Sequence, residues 1–284
     1  MSSTYATIGF IGPGRLATAL SRALAGNGEH VAAIAGRSHA RAQALAERLP
    51  DCEALPAQAL VERCELVFVT TADDAIAATV EALDWRPGNA VVHASGATEI
   101  SVLAKAARAG AAIGGFHPMQ SFSDPDTAIA SLPGCTLTIE AEGALLARLE
   151  AIAQRLGGRV NRLPPGARAR YHAAASYASP FMLALLDEAT RIWASWGASQ
   201  EDALAALLPL LRGTLGALER GSLEEAITGP IARNDLGTVS KHLAALDQLG
   251  GRHGEFYRLL AARQLEIRDD ASSRPEAMAR LIES

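Results

Sequence analysis

Cysteine is scarce in this chain: Cys52, Cys64 and Cys135 are all that 284 residues contain. None stands in a CxxC pair, so they build neither a disulfide framework nor a zinc ribbon, and the usage fits a reducing cytoplasm. No set of His, Cys, Asp and Glu has metal-ligand spacing, and no metal is expected. Basic excess is missing too. The formal net charge of −5 argues against nucleic acid as the main partner. No apolar run reaches membrane-spanning length and no basic-then-apolar leader pattern is seen, so a soluble cytoplasmic protein without a membrane partner is expected. What the chain does have is 49% hydrophobic residues, enough to bury one large or two moderate cores.

The stretch TIGFIGPGRLATALSRALAG at residues 7–26 organises the rest. A β-type apolar run enters the turn Gly12-Pro13-Gly14, and a helical pattern follows with Ala17 in the closing position of a GxGxxA fingerprint. Gly12 permits the tight turn, Gly14 lets backbone N–H groups approach a pyrophosphate, and Ala17 lets helix and strand pack closely. Gly12, Pro13, Gly14, Arg15 and Leu16 are therefore candidate cofactor contacts, with the anion at a helix N-terminus. A second strand, His30 to Ala35, ends in Gly36-Arg37-Ser38. An acid here would bind the ribose hydroxyls of NAD; Arg37, Ser38 and Arg41 suit a 2′-phosphate instead, so NADP is the expected cofactor. Arg37 and Arg41 also read as ordinary solvated residues opening helix 38–49.

Further strands at about 52–55, 65–70, 90–93 and 111–116 alternate with helices at 56–63, 75–83 and 99–109. This is the pattern of an α/β, doubly wound parallel sheet of Rossmann type. Asp73-Asp74 reads as loop and N-cap. Strands at 135–140 and 159–163 around helix 142–156 extend the sheet. Pro164-Pro165-Gly166 then punctuates the chain, and only helical patterns follow, at about 167–196, 200–220, 222–228, 236–248 and 254–269. The expectation is an NADP-binding domain over 1–165 and an all-α substrate and dimerisation domain over 166–284. The residues after Asp269 read as a loosely held tail.

In such sheets ligands bind beyond the carboxyl ends of the strands, where Thr70, Thr71, Ser95 and His117 fall. Thr70 and Thr71 join the cofactor candidates. His117 is a candidate general acid or base, and equally reads as a buried histidine. Ser95 is a candidate partner on the same substrate oxygen, and His93, inside its strand, reads as structural. Ser95 does not sit in a GxSxG elbow. Arg168, His172, Ser176 and Ser179 form one polar stripe on the first long helix; the stripe either faces solvent or lines a cleft against the nicotinamide, with His172 catalytic and Ser176 and Ser179 binding substrate. Pro180 is expected to kink that helix. Arg233, in the polar segment 228–235, is a candidate anchor for a substrate carboxylate, beside Asn234 or Asp235 as a helix cap.

Taken in order, GPGRLA, HASGA, GFHPMQSF, RYHAAASYAS and TGPIARND resemble the Rossmann-like proteins with a DUF2520 C-terminal domain, relatives of the 6-phosphogluconate dehydrogenase superfamily. The resemblance implies an NADP domain, a dimerising helical domain and, in some related proteins, ketopantoate reduction. The HPM element also resembles prephenate dehydrogenases, which implies that His117 and Ser95 act together on a substrate hydroxyl. Two positions depart from the family pattern: Arg168 replaces a lysine and Pro180 an asparagine. Arginine donates no proton near neutral pH, so the departures imply another substrate, reliance on His172 and His117, or loss of activity. The reading is an NADP(H)-dependent oxidoreductase for a small carboxylate-bearing substrate, first a 2-oxo acid such as ketopantoate and second an imine. Its competitor is an NADP-binding regulatory protein without turnover; a homodimer is expected.

Overall fold

The computed structural model describes residues 6–267 and 276–283. The chain divides into two compact units, residues up to Ser179 and residues from Pro180 onward. In chain order the first contains β1 (Thr7–Ile11), α1 (Arg15–Gly26), β2 (His30–Ala35), α2 (His39–Ala46), β3 (Glu53–Ala54), α3 (Ala57–Arg63), β4 (Leu66–Val69), α4 (Asp73–Glu81) and β5 (Ala90–His93). A 3-10 turn at Ile100–Leu103, α5 (Ala104–Arg108), β6 (Ala112–Pro118), α6 (Pro125–Ala130), β7 (Thr136–Glu140), α7 (Gly143–Arg155), β8 (Arg159–Arg162) and α8 (Arg168–Ala178) complete it.

The eight strands form one sheet in the order β3-β2-β1-β4-β5-β6-β7-β8. All neighbours are parallel except β6 and β7. Strand order reverses direction at β1, which places the glycine turn after β1 at the switch point where such sheets bind ligands. The central strands are largely apolar because helices cover both faces. On one face Phe10 stacks on Phe68 at 5.0 Å and Phe116 meets Phe68 edge-on at 5.8 Å, within a core shared with α1 and α7. On the other, Ile11, Val67, Val69 and Val91 pack with α3, α4 and α5.

Register at the far side of the sheet lines up three polar side chains. His117 lies opposite Thr138, Gly115 opposite Glu140, and Thr138 opposite Asn161. Residues directly opposite share a face, so His117, Thr138 and Asn161 form one cross-strand row. α8 belongs to this first unit, although the Pro164-Pro165-Gly166 break precedes it: Arg168 is fully buried and its Nε donates to Glu140 Oε2 at 2.5 Å.

The second unit is helical: α9 (Pro180–Ala194), α10 (Gln200–Arg220), α11 (Leu223–Ala226), α12 (Leu236–Leu249), α13 (His253–Glu266) and α14 (Glu276–Glu283). The helix expected to run from 167 to 196 with a kink is instead broken. Ser179 leaves helical geometry at φ −129° and ψ −86°, and Pro180 begins a new helix, where its missing N–H costs nothing. The expected loose tail is also corrected in part. Residues 270–275 lie outside the described residues, but 276–283 are helical, with Met278 and Ile282 buried against Val239, Leu243, Ala261 and Leu265. α6 is an addition to the expected elements; Asp124 caps it, accepting from Thr127 N at 2.8 Å, with Pro125 in its first turn.

Candidate active site

The glycine turn is built by exclusion. Gly12 sits at φ +108°, and a Cβ there would lie 2.8 Å from the Thr70 carbonyl carbon and the Thr71 nitrogen. Only glycine fits both the backbone angle and the space. The Thr70 hydroxyl ties the turn to β4, donating to Gly12 O at 2.9 Å. Gly36 performs the same service on the other side, since a Cβ there would meet Pro13 Cδ at 2.4 Å. Gly14 is different: a Cβ on it would touch nothing within 4 Å. Gly14 opens α1 with no side-chain cap and no acid in the first turn, so no N-cap side chain occupies the first amides of this twelve-residue helix. That is the cradle a pyrophosphate needs.

Arg37 and Ser38 are exposed at the end of β2. Arg37 has no ion pair among the described residues, while Ser38 caps α2, accepting from Arg41 N at 3.4 Å. Arg41 Nη2 reaches back to Pro13 O at 3.2 Å. Two guanidinium groups thus stand at the place where the ribose of a dinucleotide bound at Gly14 would lie. A 2′-phosphate fits this donor set, and no carboxylate stands at Gly36-Arg37-Ser38 to repel it.

A second cluster gathers beyond the ends of β5 and β6. Arg168 lies on Gly115, where an ideal Cβ would sit 1.7 Å from Nη2. Its Nη1 donates to Ser95 O at 2.9 Å, while Nη2 is buried without a partner. One turn along α8, Tyr171 and His172 descend on the same surface. Tyr171 Oη is 2.8 Å from His117 Nδ1, and the rings of His117 and His172 meet edge-on at 5.8 Å. Gly96 makes room for both: a Cβ on it would stand 2.4 Å from His172 Nδ1 and 2.9 Å from His117 Nε2. His172 Nδ1 is buried and unpartnered. Burial first, then His172 and Arg168, push His117 down to about 4. Burial, Arg168 and His117 push His93, whose ring is fully enclosed, down to about 3. Both imidazoles are neutral at physiological pH, against a permanently charged Arg168.

His117, His172 and Ser95 are thus brought together, and Arg168, Tyr171, Glu140 and Asp73 join them. Ser95 is heavily engaged. Its hydroxyl lies 2.7 Å from Asp73 Oδ2 and 2.9 Å from Thr98 Oγ1, and accepts from Ala97 N and Thr98 N. Asp73 opens α4 without capping it; it serves Ser95 instead. The stripe on α8 runs through 168, 171 and 172. Ser176 bonds back to His172 O at 3.1 Å, and Ser179 is exposed beyond the helix end. Arg233 belongs to the second unit, exposed, in a segment closed by Asp235, which caps α12 through Thr238 N at 3.0 Å. Tyr171 and Glu140 were not sequence candidates. Counting three and four residues from Arg168 finds Tyr171 and His172 on one helical face, but Glu140 reads only as the end of a strand. Among the described residues no group of three His, Cys, Asp or Glu could hold a metal, and no helix is long and apolar enough to cross a membrane.

Residues 1–118 match the model for a Rossmann-like domain and residues 135–264 that for DUF2520, a domain of unknown function. No curated protein matches the chain. Among solved structures, protein TM1727 from Thermotoga maritima is 23% identical, with a TM-score of 0.76, over 93% of this chain and 99% of that one. BF3122 from Bacteroides fragilis, assigned as an NADP oxidoreductase, is 26% identical, with a TM-score of 0.71, over 94% and 100%. A reductive aminase from Aspergillus terreus, in complex with NADPH4, cyclohexanone and allyl amine, shares 20% identity and a TM-score of 0.67 over 99% of both chains. The likeness to the Thermotoga and Aspergillus proteins is one of fold. The two matches stand in this order, so a Rossmann-like domain over residues 1–118 is followed by a DUF2520 domain over residues 135–264.

Proposed function

We propose that the chain is an NADP(H)-dependent oxidoreductase acting on a small, carboxylate-bearing substrate. The observation that carries this reading is the convergence of His117 Nε2 and His172 Nδ1 on Gly96, in the same sheet as the open Gly14 cradle. From β1 to β6 there are three strand spacings, roughly 14 Å, a span that a nicotinamide nucleotide bound at Gly12–Leu16 can cover. When bound, NADPH supplies the hydride. Arg37, Ser38 and Arg41 hold its 2′-phosphate, and Thr70 and Thr71 border the turn. His117 addresses the substrate oxygen or nitrogen that gains a proton, with His172 beside it. Ser95 orients this surface through Asp73, Ser176 continues the His172 face of α8 toward the substrate, and Ser179, just beyond the helix end, is the further proposed substrate contact. Arg233 is the proposed carboxylate anchor, and the helical unit the proposed dimerisation surface.

A 2-oxo acid such as ketopantoate is the first substrate class. An imine is the second, favoured by the neutral state of His117, because a neutral imidazole donates to an imine nitrogen without charge repulsion. The test is fluorescence titration with NADPH and NADH, followed by cofactor oxidation with panels of 2-oxo acids and imines. NADPH is expected to bind more tightly, and one panel to turn over. His117→Ala is expected to lose about a hundredfold or more in turnover and keep NADPH affinity. A preference for NADH would overturn the assignment of Arg37, and tight NADPH binding with no turnover in either panel would mark a regulatory protein.

A further inference from the structure

The row His117–Thr138–Asn161 crosses three adjacent strands in register, and Tyr171 closes it from α8. Its hydrogen bonds have a direction. Thr138 is fully buried, and its Oγ1 accepts from Asn161 Nδ2 at 3.1 Å. Burial raises the Tyr171 phenol, and the Thr138 hydrogen bond works against that rise, as a donor to a phenol oxygen must. Between a phenol and a neutral imidazole the phenol O–H is the stronger donor and the ring nitrogen the stronger acceptor, so Tyr171 gives its O–H to His117 Nδ1, 2.8 Å away. A ring nitrogen that accepts carries no proton, so in a neutral imidazole the proton resides on the other nitrogen.

We infer that Asn161, Thr138 and Tyr171 are positioning residues that hold His117 in the Nε2–H form, so that His117 meets its ligand at Gly96 as a hydrogen-bond donor only. The ligand class follows. A hydrogen-bond acceptor, such as a carbonyl oxygen or a neutral imine nitrogen, is received there. The substrate half of this inference rests on the oxidoreductase reading; the tautomer half does not.

The experiment is nitrogen NMR of the histidine rings in the full-length protein without cofactor, with the His117 signals assigned by His117→Gln. The wild type is expected to show Nε2 protonated and Nδ1 unprotonated and shifted by an accepted hydrogen bond. Tyr171→Phe should move Nδ1 to the position of a nitrogen accepting nothing. Thr138→Val should displace the same signal or mix the two tautomers, and Thr138→Ser should restore the wild-type pattern. With the preferred substrate, Tyr171→Phe should lower kcat roughly tenfold to a hundredfold, the range for groups that orient a functional imidazole from behind, with NADPH affinity unchanged. A proton on Nδ1 in the wild type, or a Tyr171→Phe spectrum identical to it, would overturn the inference. The expected spectra with no turnover on any substrate would uphold the tautomer and count against the oxidoreductase reading alone.

Discussion

At the scale of single residues, Arg168 decides what this site is not. It stands where the resemblance in sequence implies a lysine, yet it is sealed between Glu140, Ser95 O and the backbone of Gly115. A guanidinium so placed delivers no proton; it ties α8 to the sheet and adds a fixed positive charge behind His93 and His117. Removing one partner of a buried pair leaves the other charge unpaired, which costs about 3–5 kcal/mol. Glu140→Gln is therefore expected to lower the unfolding free energy measured in urea by that amount at an unchanged slope; a loss of less than about 1 kcal/mol would mean that water screens the pair. The same surroundings fix a pH dependence. His117 is neutral above about 4, and protonation below that value removes its acceptor face toward Tyr171 and adds a charge beside Arg168. The acidic limb of kcat/KM is expected near pH 4, not near the ordinary histidine value of about 6.5, and a limb at the ordinary value would show that the imidazole is solvated during turnover.

Among the elements, the turn between β1 and α1 separates two uses of glycine that the sequence prints identically. Gly12→Ala forces a Cβ into the Thr70–Thr71 backbone at φ +108°, so loss of stability and loss of NADPH binding are expected together. Gly14→Ala adds a methyl to empty space. It is expected to keep the wild-type melting temperature while weakening NADPH binding at least tenfold, because the methyl occupies the pyrophosphate's approach. Unchanged NADPH affinity in Gly14→Ala would move the cofactor away from this helix end. The fingerprint was legible because both glycines serve one local turn, and the central strands were legible because burial on both faces demands continuous apolar runs such as Leu66–Val69. Less legible was whatever depends on distant partners. Asp73 reads as a helix cap until Ser95 is brought beside it. The Ser176 and Ser179 stripe follows from an unbroken helix, which Ser179 interrupts. Arg168 reads as part of a stripe that faces either solvent or a cleft, because nothing near it in sequence reveals Glu140. The short α6 was legible in Asp124-Pro125, a cap followed by a first-turn proline, had the dipeptide been given its helical meaning.

At the scale of the molecule, the helical unit has more apolar surface than one copy buries. Leu183 on α9 is 67% exposed and Leu210 on α10 69% exposed, and the two helices pack against each other. Trp196, Leu215 and Leu218 are exposed as well. Scattered exposed leucines are ordinary, whereas a run of them along paired helices marks an interaction surface. A second copy of the chain is the proposed occupant, since a self-complementary patch closes after one two-fold contact. With a chain mass of 29.6 kDa, light scattering at micromolar concentration is expected to give twice that mass. Leu183→Glu combined with Leu210→Glu should yield the monomer by burdening each partner with buried carboxylates. The circular dichroism spectrum should not change, because both side chains point outward already. A wild-type mass of one chain would refute the dimer. A double variant that remains dimeric would leave the dimer standing and relocate its interface to a surface other than α9 and α10.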